Sequence, residues 1–148
     1  MVGAPKLSVR QALFGSAEYD AILELRYITL REPLGLQFTE CELAREEGSY
    51  HLGVWANTEL AGCVVLTPSS DEQIQLRQCV VREALRGQGH GKLLVRYAES
   101  LAQEKQFREI VMHARISAMG FYEKLGYEIA GDPFIELTIP HVTMRKHL

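Results

Sequence analysis

The stretch that decides the fold is VVREALRGQGHG, residues 80–91, in which three glycines stand two residues apart. It follows an alternating apolar segment and precedes a run whose apolar residues have helical spacing. The first N–H groups of a helix have no partner within the helix, and the helix dipole adds positive charge there, so such a turn binds anions. Arg82, Arg86 and Lys92 add positive charge nearby. The stretch therefore predicts a diphosphate site at the start of a helix.

Two other phosphate-binding loops use similar residues, and neither pattern fits this chain. A P-loop needs a hydroxyl residue after its lysine, but Leu93 follows Lys92, and Gly87 stands one residue too close. The dinucleotide-binding fingerprint requires a third glycine where this chain has Lys92. A tight turn that binds no ligand remains an open alternative.

Periodicity on both sides of the turn predicts an α/β fold with a mixed sheet. The predicted order is β-α-α-β-β-β-α-β-α-β-β, antiparallel at first and parallel across the helix that follows the glycines. The strands are predicted at 6–10, 50–56, 60–66, 74–82, 109–114, 127–130 and 141–145. The helices are predicted from Ser16 until Pro33 stops the chain, over 39–47, after Gly91 and over 118–125.

The chain has 148 residues, 47% of them hydrophobic and 24% charged, which predicts one globular domain over residues 1–148. No apolar run could span a bilayer and no signal peptide is visible, so we expect a cytoplasmic protein without a membrane partner. Three scattered cysteines suit a reducing compartment and lack the spacing of a metal site. The net charge of −3 argues against a nucleic-acid partner.

The charge is unevenly distributed along the chain. Residues 1–81 carry a net charge of −5, and residues 82–148 carry +2. Two solvated faces would explain this. Alternatively, the second half meets an anion and the first half meets a cation.

A second signature, AMGFYEKLGY at residues 118–127, comes about thirty residues after the glycines. The two stretches together resemble motifs of the GNAT superfamily, the acetyl-CoA-dependent N-acyltransferases. Arg86, Gly89 and Gly91 match its Arg/Gln-x-x-Gly-x-Gly core. The ending IPHVTM, residues 139–144, with His113-Ala114, is similar to the small bacterial ElaA/YjcF-like branch.

The resemblance implies that acetyl-CoA is the co-substrate, with its pyrophosphate on the N–H groups of residues 87–92. It also implies that strands 74–82 and 109–114 splay apart around the thioester. The family often has Asn where this chain has Arg115, which could instead reach a phosphate or the acceptor. The residues implied to bind the cofactor are Val80, Val81, Arg82, Arg86, Gly87, Gln88, Gly89, His90, Gly91, Lys92, Arg115 and Tyr122.

Acyl transfer to an amine needs a base, an oxyanion donor and, for the departing thiolate, an acid. The resemblance implies that Tyr122 is the acid and that the Val80 N–H is the oxyanion donor. Simple packing of Tyr122 is the alternative. The base stays open between His113, His141 and a bound water.

The acceptor is expected to enter between the first two helices and the last hairpin, near Arg26, Tyr27, Arg31 and Glu136. It could be a small metabolite, an amino sugar, a polyamine or a peptide lysine. The resemblance thus implies an N-acetyltransferase that works by direct attack of a primary amine without a metal. Homodimers are common among domains of this family. A non-catalytic acyl-CoA-binding sensor and a structural dimer subunit are the alternatives.

Overall fold

The computed structural model describes residues 3–148, which form an eight-stranded mixed sheet. Seven strands lie in the order β1-β2-β3-β4-β5-β8-β6, and β7 pairs with β8. All contacts between neighbouring strands are antiparallel except that between β4 and β5. The strands are β1 Leu7–Ala12, β2 Tyr50–Ala56, β3 Glu59–Pro68, β4 Gln73–Val81, β5 Glu109–Arg115, β6 Glu128–Ile129, β7 Phe134–Glu136 and β8 Ile139–His147. The predicted mixed α/β fold is confirmed.

Within residues 3–148 the chain forms four α-helices. They are α1 Ala17–Arg26, α2 Glu40–Arg45, α3 His90–Glu104 and α4 Met119–Lys124. The predicted starts of the first two are confirmed, because the Ser16 and Thr39 side chains accept hydrogen bonds from the backbone N–H groups of Tyr19 and Glu42. The first helix is shorter than predicted. After Arg26 the chain continues as a π turn over Tyr27–Arg31 and a 3₁₀ turn over Glu32–Leu34, which contains Pro33.

Two apolar clusters lie on opposite faces of the sheet, because successive side chains of a strand point to opposite sides. On one face, α3 and α4 pack on β2–β5 and β8 through residues such as Leu66, Ile74 and Leu94. On the other, α1 packs through Ile22 and Leu25 on residues such as Trp55, Cys63 and Val80. We call these the α3 face and the α1 face.

Strands β4 and β5 stay paired only near their beginnings. The parallel register runs from Gln73 opposite Glu109 to Leu76 opposite Met112, and no further pairing follows. The register of β4 with β3 shifts by one residue between Arg77 and Val80, and Gln78 within that bulge has a φ of +51°. A bulge bends its strand. The two parallel strands therefore separate at the bulge and leave a gap in the sheet.

A buried ion-pair cluster on the α1 face connects the bulge to the first two helices. The Arg26 guanidinium is 0% exposed, and its Nη2 donates to both Glu46 carboxylate oxygens at 3.0 and 2.9 Å. Arg26 Nε donates to Gln78 in the bulge, and Arg77 Nη1 donates to Glu46 Oε2 at 3.2 Å. The His51 ring also contacts the Glu46 backbone carbonyl at 2.8 Å. One carboxylate thus links α1, the end of α2 and β4.

The last hairpin contains a strand that the sequence did not predict. Strand β7 pairs with β8 from Phe134 opposite His141 to Glu136 opposite Ile139. The two residues that connect them, Leu137 and Thr138, have φ values of +49° and +65°. Tight hairpins with two such residues normally contain Asn-Gly or Asp-Gly. Since neither pair occurs here, the turn signal was missing.

We predict that Glu46→Ala lowers the free energy of unfolding by about 3–5 kcal/mol, because it leaves the Arg26 guanidinium buried without its counter-charge. Urea unfolding followed by circular dichroism would measure the change. The matched control is Glu47→Ala, since Glu47 is exposed; that change is expected to stay within about 0.5 kcal/mol. Equal stability of the two variants would show that the ion pair does not stabilise the fold.

Candidate functional site

A cavity of about 370 Å³ opens where β4 and β5 separate. Its walls come from both strands, the π turn, the start of α4 and the β7–β8 hairpin. The lining residues are Leu30, Arg31, Gln75, Leu76, Arg77, Gln78, Cys79, Met112, His113, Ala114, Arg115, Ala118, Tyr122, Glu136, Leu137 and His141. The cavity therefore gathers five of the sequence-predicted catalytic and acceptor residues, namely Tyr122, His113, His141, Arg31 and Glu136, together with Arg115, which was predicted to bind the cofactor.

The glycine turn has the geometry of an anion site. Gly87 and Gly89 adopt φ values of +79° and +85°, which L side chains rarely adopt, and Gly89 is the N-cap of α3. The first helical hydrogen bond joins the Leu93 N–H to the Gly89 carbonyl at 3.1 Å. The N–H groups of residues 90–92 precede that bond at the positive end of a 15-residue helix. Gly87, Gln88 and Gly89 are exposed, so an anion can approach the turn.

The charged residues around the turn do not all project toward such an anion. Lys92 is exposed. The Arg86 Nε donates to the Val81 carbonyl at 3.2 Å, and the Arg82 Nε donates to the Leu60 carbonyl at 3.0 Å. The His90 side chain is buried and contacts the Leu85 carbonyl through Nδ1 at 3.2 Å. His90 can therefore offer an anion only its backbone N–H.

Past the bulge, alternate peptide groups of β4 face the gap. The Arg82 N–H donates to the Ala61 carbonyl of β3 at 2.8 Å. Alternation then turns the peptide groups of Val80 toward β3 and those of Val81 and Cys79 toward the gap. Consistently, a Cβ placed on Gly62 of β3 would lie 2.8 Å from the Val80 carbonyl oxygen. The oxyanion role expected for the Val80 N–H thus does not fit, and the geometry favours the N–H groups of Cys79 and Val81.

Tyr122 projects from α4 into the gap from the α3 face. Its side chain is buried among Phe121 and Tyr127, with ring centroids 5.0 and 5.9 Å away. Its hydroxyl lies beside the Cys79 thiol. Burial and this neighbour raise the pKa of Tyr122 well above 10, and burial raises the pKa of Cys79 to about 11. Both groups are therefore protonated at neutral pH.

On the α1 face, three predicted side chains form one cluster around Glu136. His113 Nδ1 lies 3.1 Å from Glu136 Oε1, and His141 Nε2 lies 3.7 Å from Glu136 Oε2. His141 Nδ1 contacts the Ile139 carbonyl at 2.7 Å. Because a carbonyl can only accept a hydrogen bond, Nδ1 is the ring nitrogen that carries the hydrogen. Phe134 packs against both histidine rings. The carboxylate thus orients His113 by its Nδ1 and leaves its Nε2 free.

The predicted acceptor residues divide into two groups. Arg31 and Glu136 line the cavity, and Arg31 Nη2 also donates to Glu42 Oε2 at 3.1 Å. Arg26 is buried in the ion-pair cluster and reaches the cavity only through Gln78, and Tyr27 in the π turn does not line it. Contact of either residue with an acceptor therefore does not fit this arrangement.

The sequence missed two features of the site. Alternation along β4 placed Gln75 and Arg77 on one face but did not show that this face borders the gap. The Cys79–Tyr122 contact joins residues that are far apart in the chain, and no local pattern predicts it. Within residues 3–148, no three His, Cys, Asp or Glu side chains are arranged to hold a metal ion. In the same range, no helix is long and apolar enough to cross a membrane.

Comparison with known proteins matches residues 32–148 to the acetyltransferase (GNAT) domain family. The chain belongs to the GNAT family. It is 30% identical over 135 residues to the uncharacterised N-acetyltransferase YitI of Bacillus subtilis, covering 84% of this chain and 89% of YitI. It is 36% identical over 74 residues to YyaT of the same species, which is half the length of each protein.

Solved structures of GNAT-type proteins share the fold. A candidate N-acetyltransferase from Lactobacillus plantarum has a TM-score of 0.85 at 24% identity, covering 96% of this chain and 98% of that one. Escherichia coli ElaA has a TM-score of 0.81 at 20% identity over 95% and 99% of the two chains. A GNAT acetyltransferase from Elizabethkingia anophelis with acetyl-CoA bound has a TM-score of 0.72 at 20% identity over 96% and 98%. These structures show the shared fold, while the family match over residues 32–148 and the match to YitI confirm the GNAT membership expected from the two sequence motifs.

Proposed function

We propose that this protein transfers an acetyl group from acetyl-CoA to a primary amine, which attacks the thioester directly. One observation carries the proposal: a single cavity in the gap between β4 and β5 has Tyr122 on one side and the His113–Glu136 pair on the other. Family membership and the acetyl-CoA bound to the Elizabethkingia neighbour support the choice of co-substrate. The exposed glycine turn supports binding of its pyrophosphate.

In this proposal the cofactor extends from the glycine turn along the free side of β4. The N–H groups of residues 87–92 hold the pyrophosphate, and Lys92 adds positive charge. The pantetheine arm pairs with the outward N–H of Val81, because the Val81 carbonyl already accepts a hydrogen bond from Arg86 Nε. Its thioester then reaches the Cys79 N–H, which donates to the carbonyl oxygen as negative charge develops there.

His113 acts as the base on the α1 face. A free alkyl amine is almost fully protonated at neutral pH and must lose a proton to attack. His113 Nδ1 is occupied by Glu136, so Nε2 accepts a proton from the attacking nitrogen. The amine nitrogen forms a bond to the thioester carbon, and the carbonyl electron pair moves to oxygen. Collapse restores the carbonyl and breaks the carbon–sulfur bond.

Tyr122 assists the departing sulfur from the α3 face. Its hydroxyl keeps its proton at neutral pH because its pKa is raised well above 10. It already lies beside a sulfur atom, the Cys79 thiol. Donation to the coenzyme sulfur would stabilise the thiolate as it leaves, and solvent can supply the final proton.

We predict that Gly89→Asp weakens acetyl-CoA binding by at least about tenfold more than Gly89→Ala, measured by calorimetry. The φ of residue 89 is +85°, which aspartate tolerates better than alanine, so backbone strain alone would favour the aspartate variant. Only aspartate adds a negative charge beside the pyrophosphate. Equal affinities of the two variants would contradict the location of the pyrophosphate.

We predict that Tyr122→Phe lowers the rate of acetyl transfer by about 10- to 100-fold, the worth of one hydrogen bond to a charged group. Release of coenzyme A thiol with a panel of amines would measure the rate, and calorimetry would show unchanged acetyl-CoA affinity. Phe121→Leu, at the exposed neighbouring position, is the control for packing. If the wild-type protein binds acetyl-CoA tightly but acetylates no amine, it is an acyl-CoA sensor.

We predict that His113→Gln lowers kcat by about 10²–10⁴-fold, the usual contribution of a general base. Glu136→Gln should also lower kcat, and the double variant should lose little more than His113→Gln, because the carboxylate acts through the histidine. The rate of the single variant should recover as the pH is raised and the free amine becomes abundant. Additive losses would contradict a shared role and favour His141 or a bound water as the base.

A further inference from the structure

We infer that the acceptor amine carries a carboxylate, which Arg77 and Arg115 hold at the α1-face side of the cavity. This inference rests on the proposed acetyl transfer and adds the chemical class of the acceptor, namely a small amino acid. It comes from the charges that line the cavity and from the partners each of them has.

Arg77 supplies positive charge that its ion pair does not cancel. Its side chain is 34% exposed and borders the cavity. Among residues 3–148 its one ion-pair contact is to Glu46 Oε2, and the same carboxylate already receives two hydrogen bonds from Arg26. Two guanidinium groups thus share one carboxylate. The net positive charge of the cluster remains, and of its two arginines Arg77 is the one that lines the cavity.

Arg115 supplies a second positive charge from the opposite strand. It ends β5 and pairs with His141 of β8, so it shares the sheet face of His141 and His113. It lines the cavity, and among residues 3–148 no carboxylate lies within ion-pair distance of its guanidinium. Arg77 and Arg115 therefore stand on the two walls of the gap, on the face where the amine must enter to reach His113.

The acidic groups of the site are too few for a polycation. Glu136 is the single acidic residue in the cavity lining, and it already contacts both histidines. A polyamine would bring further ammonium groups that need carboxylates, and an amino sugar would leave the two guanidinium groups without an anionic partner. An amino acid instead matches the lining, because its amine can reach His113 while its carboxylate accepts hydrogen bonds from planar guanidinium groups. The volume of about 370 Å³ must also hold the thioester, which favours a small acceptor.

The inference is tested with the standard L-amino acids and their amides as matched acceptors. Each amide keeps the side chain and the reactive amine but lacks the negative charge. The wild-type protein should acetylate the best amino acid about 10- to 100-fold more efficiently in kcat/KM than its amide. Arg115→Met and Arg77→Met should remove most of that preference by raising KM for the amino acid, with KM for acetyl-CoA unchanged.

Arg145→Met is the matched control. Arg145 lies on the same sheet face, opposite Val111, but pairs with Glu128 outside the cavity, so this variant should keep the preference. Thermal melting would confirm that Arg77→Met still folds, and Arg115→Met tests the inference without touching the Glu46 cluster. If Arg115→Met raises KM for acetyl-CoA instead, the residue serves the coenzyme and the inference is wrong.

A binding measurement separates this inference from the proposed function. Calorimetry compares N-acetyl-L-alanine with N-acetyl-L-alanine amide, each added to the protein loaded with coenzyme A. If the protein binds the carboxylate more tightly than the amide and Arg115→Met loses this difference, the result supports the inference. If the protein also acetylates no amine, that second result overturns only the proposed function. The inference alone would be overturned if the protein acetylates amino acids and their amides with equal efficiency and binds the two acetylated products with equal affinity.

Discussion

The wall of the cavity on the α1 face depends on the contacts of one group, the Glu46 carboxylate. Burying a charge is costly unless it is paired, so the buried Arg26 guanidinium fixes where Glu46 lies, and with it the end of α2. The same guanidinium reaches Gln78 at the bulge of β4. The bulge, in turn, lies where β4 parts from β5. A single buried ion pair therefore connects the position of two helices to the opening in the sheet.

Because of the bulge, β4 places side chains of the site on both faces of the sheet. In a regular strand, residues 77 and 80 would point to opposite faces. The bulge between them adds one residue, so Arg77, opposite Val65 of β3, and Val80, opposite Cys63, point to the same face. Cys79 consequently lies on the α3 face beside Tyr122, while Arg77 stays on the α1 face beside the ion-pair cluster. In the proposed reaction the sulfur would leave on one side of the sheet and the amine would arrive on the other.

Local sequence patterns predicted the parts of the site that depend on local structure. The glycine turn at residues 87–91 and the helix after it follow from spacing within about ten residues. The site role of Tyr122 came instead from the family resemblance, because spacing alone is equally compatible with simple packing. The grouping of Glu136 with His113 and His141 could not be predicted, because it needs the pairing of β7 with β8, and the turn at Leu137 carries no glycine. The burial of Arg26 was missed for the same kind of reason. Helical spacing shows which side of α1 is apolar, but the counter-charge of Arg26 is Glu46, which lies twenty residues further along the chain.

The uneven charge of the chain shows how folding changes the meaning of a sequence average. The acidic first half, with its net charge of −5, favoured a cationic acceptor when its glutamates were taken as free. In the structure Glu46 and Glu42 are held by Arg26, Arg77 and Arg31, so neither offers a free carboxylate to a ligand. The charge that a ligand meets in the cavity is the net charge that remains after ion pairs have formed, and in this cavity that net charge is positive. The same pairing that stabilises the helices thereby determines which ligand the cleft can attract.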